Sequence, residues 1–400
     1  MKILVFNCGS SSIKYQLFEM PDGTICAKGL VQRIGEKHSE AFQKCGDAEI
    51  RSDELIENHQ HGLQVIRKML TDPDKGPIKS MSEIAACGHR VVHGGESFTG
   101  SMEVDDEVEK VIENYSDLAP LHNPPNLTGI REAKKTLGDK IPQIACFDTA
   151  FHQTIPNVAY LYGLPYDMYE KYKIRRYGFH GTSHRYVARR AAKLMNMDKY
   201  DADLITCHLG NGCSIAAVKA GKSIDTSMGL TPLEGVMMGT RTGDFDPAII
   251  FYLNRKGYSS EDLDKIFNKK SGLLGLSGIS NDVRDLEAKA ESGDTRARLA
   301  LDVFAYRIRK YIGAYLAVLN GCHGIVFTGG IGENEAKMRC RIVENMENLG
   351  IRLDDKKNAS IRGTEGSIEA DNSKIRLLVV PTDEEGAIAN DTYNIVSGGK

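Results

Sequence analysis

The sequence predicts an α/β fold in which two similarly built domains follow one another, and three observations carry that prediction. The opening KILVFNCGSSSIKYQLFEM reads as a buried strand, a Gly/Ser turn and a second strand alternating through Ile13, Tyr15 and Leu17. ADLITCHLGNGCSIAAVKAGKSID repeats that order about half a chain later, which makes Asn7 and Asn211 expected counterparts. Between such units lie stretches like LALDVFAYRIRKYIGAYLAVLN, whose apolar residues recur at three and four, the helical spacing. A chain of 400 residues is also too long for one ordinary core.

Taken in order, IPQIACFDTAF ends an apolar strand at Asp148 and places a boundary near there, with a first domain expected over residues 1–150 and a second over 151–385. HGIVFTGGIGEN ends another strand at Gly329 and Gly330 and opens a helix. EGAIANDTYNIV is expected to form a helix that returns residues 386–400 to the first domain. Ligands of such folds collect at the carboxyl edges of the strands, and two such domains would enclose a cleft.

Composition narrows the partners. A net charge of −3 offers no broad surface to nucleic acid, and no run approaches the roughly 20 apolar residues needed to span a bilayer. The amino terminus lacks the apolar core of a secretion signal. Nine cysteines, an odd number with no C-x-x-C pair, form neither a zinc framework nor a disulfide scaffold. Several sit in strand-like runs as small core residues, so a cytoplasmic location is expected.

The turns carry the chemistry. Gly9 permits a tight turn while Ser10, Ser11, Ser12 and backbone amides supply donors, with Lys14 adding charge; a solvated β-turn has the same residues. HLGNGCS frames Asn211 with two glycines, and two such hairpins suit a polyphosphate, although neither is a Walker A loop. TGGIGEN suits the nucleoside end. Asp282 and Arg284 in SNDVRDL either contact that ligand or cap a helix.

Arg90 in CGHRVVHGGE and Arg241 in MGTRTGDFDP offer guanidinium forks for a carboxylate or phosphoryl group, set among Gly94, Gly95, Gly239 and Gly243, glycines expected to shape backbone around a ligand. His122, His180 and His208 lie in loops, His180 being the first choice. His180 and His184 have metal-ligand spacing, yet H-E-x-x-H is absent. Asp148, at a strand end in FDTAFH, either orients or deprotonates an acceptor, or caps a turn. Glu384 and Glu385, just past an apolar strand, suit Mg²⁺.

NCGSSSIKYQLF, GHRVVHGGE, LAPLHNPPN, FDTAFHQT, YGFHGTSH, TCHLGNGCS, PLEGVMMGTRTGDFDP, NKKSGLLGLSG, FTGGIGEN and PTDEE together resemble the acetate kinase family over nearly the whole chain. The resemblance implies two duplicated domains of the actin/Hsp70/sugar-kinase (ribonuclease H-like) kind, a homodimer joined through the second domain, and reversible transfer of the ATP γ-phosphoryl group to acetate, giving acetyl phosphate and ADP. Propionate or butyrate kinase is the alternative within the class, and a non-catalytic nucleotide switch the alternative outside it. The resemblance makes Asn7 and Glu384 the magnesium residues, with Mn²⁺ as a substitute ion. It gives ATP to Lys14, to His208, Leu209, Gly210, Asn211 and Gly212, to Asp282, Val283 and Arg284, and to Gly330, Ile331, Gly332, Glu333 and Asn334. It makes Asp148, His180 and Arg241 catalytic and assigns the acid to Arg90 and His122, with Val92, Leu121, Phe179 and Pro232 around its methyl group.

Overall fold

The computed structural model describes residues 1–120, 122–138 and 140–398, so Leu121 lies outside the described residues. The chain divides into two units: Met1–Gln153 with Asp383–Lys400, and Thr154–Thr382.

The first unit is built on a mixed sheet of eight strands: β1 (Lys2–Cys8), β2 (Ser12–Glu19), β3 (Thr24–Gln32), β4 (Glu40–Cys45), β5 (Ala48–Ser52), β6 (Ile84–Val91), β7 (Met102–Glu103) and β8 (Gln143–Phe147). Their spatial order is β5-β4-β3-β2-β1-β6-β8-β7. β1 pairs antiparallel with β2 and parallel with β6, which pairs parallel with β8. Covered on both faces, β1 reads as a continuous apolar run, as central strands do. Leu4 and Phe6 join Leu63 and Ile66 of the helix His59–Leu70 on one side. Ile3 and Val5 meet Ile388 and Ala389 of the helix Glu384–Val396 on the other.

The second unit has six strands: β9 (Leu204–Leu209), β10 (Cys213–Lys219), β11 (Lys222–Thr226), β12 (Gly324–Thr328), β13 (Gly366–Ser367) and β14 (Arg376–Val379), in the order β11-β10-β9-β12-β14-β13. β9 is antiparallel to β10 and parallel to β12, which is parallel to β14. This matches the run β3-β2-β1-β6-β8-β7 strand for strand, so the α/β class with two like-wound halves holds; the first unit adds a β4-β5 edge. The stretch LALDVFAYRIRKYIGAYLAVLN falls in one helix, Thr295–Leu319, capped by Asp294 and ended by Asn320 in the left-handed region. No helix among the described residues is long and apolar enough to cross a membrane.

Register corrects one expected correspondence. Asn7 is the last-but-one residue of β1 and pairs with Lys14, whereas Asn211 lies in the turn after β9. The last-but-one residue of β9 is His208, opposite Ser214. Asn7 therefore answers to His208. The turns differ in length, being closed by Cys8 and Ile13 in one unit and by Leu209 and Cys213 in the other.

Candidate functional site

In the first unit the strand ends gather charge. Arg90, near the end of β6, grips Asp148 just past β8 with two parallel bonds, Nε to Oδ1 at 3.0 Å and Nη2 to Oδ2 at 2.7 Å. Asp148 is 1% exposed, and its amide donates to the Val91 carbonyl at 2.9 Å. Glu384, the first residue of the C-terminal helix, approaches Arg90 Nε to 3.9 Å. Burial pulls the Arg90 pKa down, but Asp148 and Glu384 outweigh it and hold the guanidinium above its ordinary value. Burial pushes the Glu384 carboxyl up, Asp148 adds to this, and Arg90 and Lys14 only partly oppose it.

The residues named for magnesium fit that ion. Because Ile3 and Val5 face the Glu384 helix, alternation sends Asn7 to the same face, and Lys14 opposite it as well. Mg²⁺ takes one or two carboxylates and keeps water, which matches a partly buried carboxylate whose cationic neighbours do not cancel its desolvation.

Two asparagines, unmarked by the sequence reading, hold these strand ends together. Asn126 accepts from the Val92 amide at 3.1 Å and donates to the Cys8 carbonyl at 2.7 Å. Asn123 accepts from the His93 amide at 3.0 Å and donates to the His93 carbonyl at 2.9 Å. Both sit in the first turn of the helix Asn123–Leu137, where the intervening prolines lack only amides that a helix start leaves unbonded. The signal was present in NPPN: two amides three apart share a helical face. His122 precedes that helix without a side-chain cap, and Val92 is 5% exposed.

In the second unit, a cavity of about 490 Å³, the size of a small-molecule site, is walled by Gly210, Asn211, Asp282, Val283, Arg284, Gly330, Ile331 and Asn334. Asn281, Glu335 and Arg362 also line it and were missed. Asp282 serves both readings: it caps the helix Val283–Glu291 through the Arg284 amide at 2.8 Å while standing in the wall. Leu209 is fully buried in the sheet and does not line the cavity. Glu333 is turned inward. Its Oε1 accepts from the amides of Gly329 at 2.8 Å and Thr382 at 3.1 Å, so the side chain staples two strand ends instead of facing a ligand. Gly332 is buried, and its carbonyl accepts from Arg339 at 2.9 Å. Arg339, itself fully buried, also bonds Asn358 and Ile361; with only neutral acceptors, burial lowers its pKa to about 10.

Beside this cavity the Gly212 turn gathers His180 and Arg241: a Cβ built on Gly212 would lie 3.5 Å from His180 Nε2 and 3.8 Å from Arg241 Nη1. His180 stands at φ 56°, a left-handed conformation that a non-glycine residue adopts at a cost, just before the helix Gly181–Leu194. Its ring stacks on His208 at 4.2 Å. Arg241 is half-buried with no ion-pair partner among the described residues, and burial lowers its pKa. A cation so placed is completed by an anion. Phe179 is 1% exposed, and Pro232 is half-buried.

The glycines beside the two arginines have a different role from the one expected. A Cβ at Gly94 would meet Phe147, at Gly95 Tyr115, at Gly239 Asn211, and at Gly243 the Gly235 carbonyl. They allow the protein to pack on itself.

Cations, amides and hydroxyls gather at the strand ends of both units, the edge at which α/β folds of this kind bind their ligands. The sequence profile of the Acetokinase family matches residues 2–390. An acetate kinase of Desulfitobacterium hafniense (strain DSM 10664 / DCB-2) is 55% identical over 402 residues, covering 100% of each chain. The crystal structure of Porphyromonas gingivalis acetate kinase superposes with a TM-score of 0.94 at 46% identity, covering 99% of each chain. That of a propionate kinase from Francisella tularensis subsp. tularensis SCHU S4 gives 0.92 at 41%, covering 98% of this chain and 99% of the other. The chain belongs to the acetokinase family.

Proposed function

We propose that the chain catalyses reversible transfer of the γ-phosphoryl group of ATP to acetate, giving acetyl phosphate and ADP. The observation that carries this reading is the Arg90–Asp148 pair, a bidentate guanidinium–carboxylate contact at strand ends that also bear Glu384. An Arg90 fork matches a carboxylate substrate. Asp148 fixes the plane of that fork; an ionised acid has no proton to lose, so Asp148 orients and does not deprotonate. His180 and Arg241, meeting at the Gly212 turn, are suited to the charge that spreads over phosphoryl oxygens in the transition state. The cavity walled by Gly210, Asp282 and Gly330 receives the nucleoside. Asn7 and Glu384 would hold Mg²⁺, which neutralises polyphosphate charge when bound. Val92, two residues along the chain from Arg90, is the first unit's apolar neighbour for the methyl group.

A homodimer is part of the reading. In the second unit Val158 is 87%, Phe251 62% and Tyr252 53% exposed, apolar surface of the kind that association covers. All nine cysteines are free, which suits a cytoplasmic location.

Trapping acyl phosphate as its hydroxamate tests the activity: colour with acetate, Mg²⁺ and ATP is expected, and ATP turnover without hydroxamate would overturn the reading. The likeness to a propionate kinase supports a second reading, since one methylene in an apolar pocket changes discrimination by only about 1 to 3 kcal/mol. Comparing kcat/KM for acetate, propionate and butyrate decides between them.

A further inference from the structure

Between the helix Gly181–Leu194 and the β9-β10 hairpin runs a seam of polar side chains that the proposed reaction does not use. Ser183, His184, Thr206 and Ser214 are all fully buried there. Helix and sheet ordinarily meet through apolar side chains, and a buried hydroxyl or imidazole is costly unless bonded. Here each is bonded. Thr206 Oγ1 lies 2.7 Å from His184 Nδ1, His184 Nε2 lies 2.7 Å from Ser214 Oγ, and Ser214 Oγ lies 2.8 Å from His180 Nδ1. The sequence dictates the alignment: Thr206 and His208 are two apart on β9, Ser214 faces His208 across the hairpin, and His180 and His184 are one helical turn apart.

Ser214 has one hydroxyl proton and touches two imidazole nitrogens. Donating to one ring and accepting an N–H from the other serves both nitrogens with that single proton and makes the protons along the chain run in one direction. The Nε2 edge of His180 faces the Gly212 turn together with Arg241 Nη1. A neutral imidazole carries a single ring proton, whose place must be set. A phosphoryl oxygen offers only lone pairs, so the useful place is Nε2.

We infer that Ser214 and His184 are positioning residues that keep the His180 proton on Nε2, aimed at a phosphoryl oxygen over the Gly212 turn. Thr206 donates to His184 Nδ1, His184 Nε2–H donates to Ser214, and Ser214 donates to His180 Nδ1. Stacking on His208, which is itself bonded through Nδ1 to Ser183 at 2.8 Å, holds the ring plane. The i, i+4 histidines, whose spacing resembles a metal motif, thus serve as two links of a hydrogen-bond chain. The inference rests on the phosphoryl-transfer reading.

The test is ¹⁵N–¹H correlation NMR of the full-length enzyme labelled at histidine, with the His180 signals assigned by their loss in His180→Gln. Wild type is expected to show His180 as the Nε2–H tautomer. Ser214→Ala is expected to lose that preference and to lower kcat roughly 10- to 100-fold with both KM values within about twofold, while Ser214→Thr restores most of it. His184→Gln serves as the second variant if Ser214→Ala does not fold. An Nδ1–H tautomer in wild type, or an unchanged tautomer in the variants, overturns the inference. Absence of acyl phosphate with wild-type enzyme instead overturns the reaction it rests on, and the spectra still report the tautomer.

Discussion

The two units share a winding but differ at the strand ends. One residue past β8 the Asp148 amide bonds the Val91 carbonyl at 2.9 Å; one residue past β14 the Val380 amide bonds the Phe327 carbonyl at 3.0 Å. Asp148 therefore stands where the second unit has Val380, and by the same register Arg90 stands where it has Val326. Val326 and Val380 are fully buried. The same scaffold closes well over two valines, so the charge pair is not required to hold strands together, and buried ion pairs seldom outperform apolar pairs in stability. What the pair adds is a fixed guanidinium.

The largest test of that comparison gives the first unit the residues of the second. In Arg90→Val/Asp148→Val we expect unfolding free energy within about 1 kcal/mol of wild type, by urea titration, alongside a loss of acyl phosphate formation of about 10⁴-fold. Unfolding of the double variant would show the pair to be structural. Next in size, Arg241→Leu should lower kcat by on the order of 10³-fold; steady-state kinetics in which only KM moved would rule out stabilisation of transition-state charge.

A third difference is acid sensitivity. His89 of β6 answers to Ile325 of β12. Burial lowers the His89 pKa from 6.5 to about 4, against a weaker opposing bond to Gln143. The unfolded chain takes up that proton first as pH falls. Stability is therefore whole above about pH 6.5 and is lost toward pH 4, by about 2 kcal/mol at pH 5. Urea midpoints at pH 7.5 and 5 should converge in His89→Gln, and equal acid losses in both proteins would assign the effect elsewhere. Smallest is Asp282→Ala, which removes a helix cap of about 1 kcal/mol. A fall in melting temperature with an unchanged KM for ATP would leave Asp282 a cap alone.

Strand, turn and strand were legible because alternation through Ile13, Tyr15 and Leu17 is a local property, and so was the long helix capped by Asp294. The correspondence of Asn7 with Asn211 was not, because counting residues ignores that the two turns differ in length. Glu333 and Glu384 look alike in sequence, each an acidic residue after a strand. Only the fold shows one bonded to Gly329 and Thr382 amides and the other beside Arg90. Ser214 and Thr206 were invisible for the same reason: a hydroxyl in a strand carries no mark of the helix that will cover it.

The helix Glu384–Val396 has a consequence for synthesis. It covers Ile3, Val5, Ile144 and Cys146, yet every residue of Thr154–Thr382 leaves the ribosome before it does. Through that interval one face of the first sheet has no cover, and exposed apolar strands are what nascent chains aggregate by. Closing that face and delivering Glu384 are the same event, so a chain that has not finished sealing its first sheet also lacks the carboxylate beside Arg90.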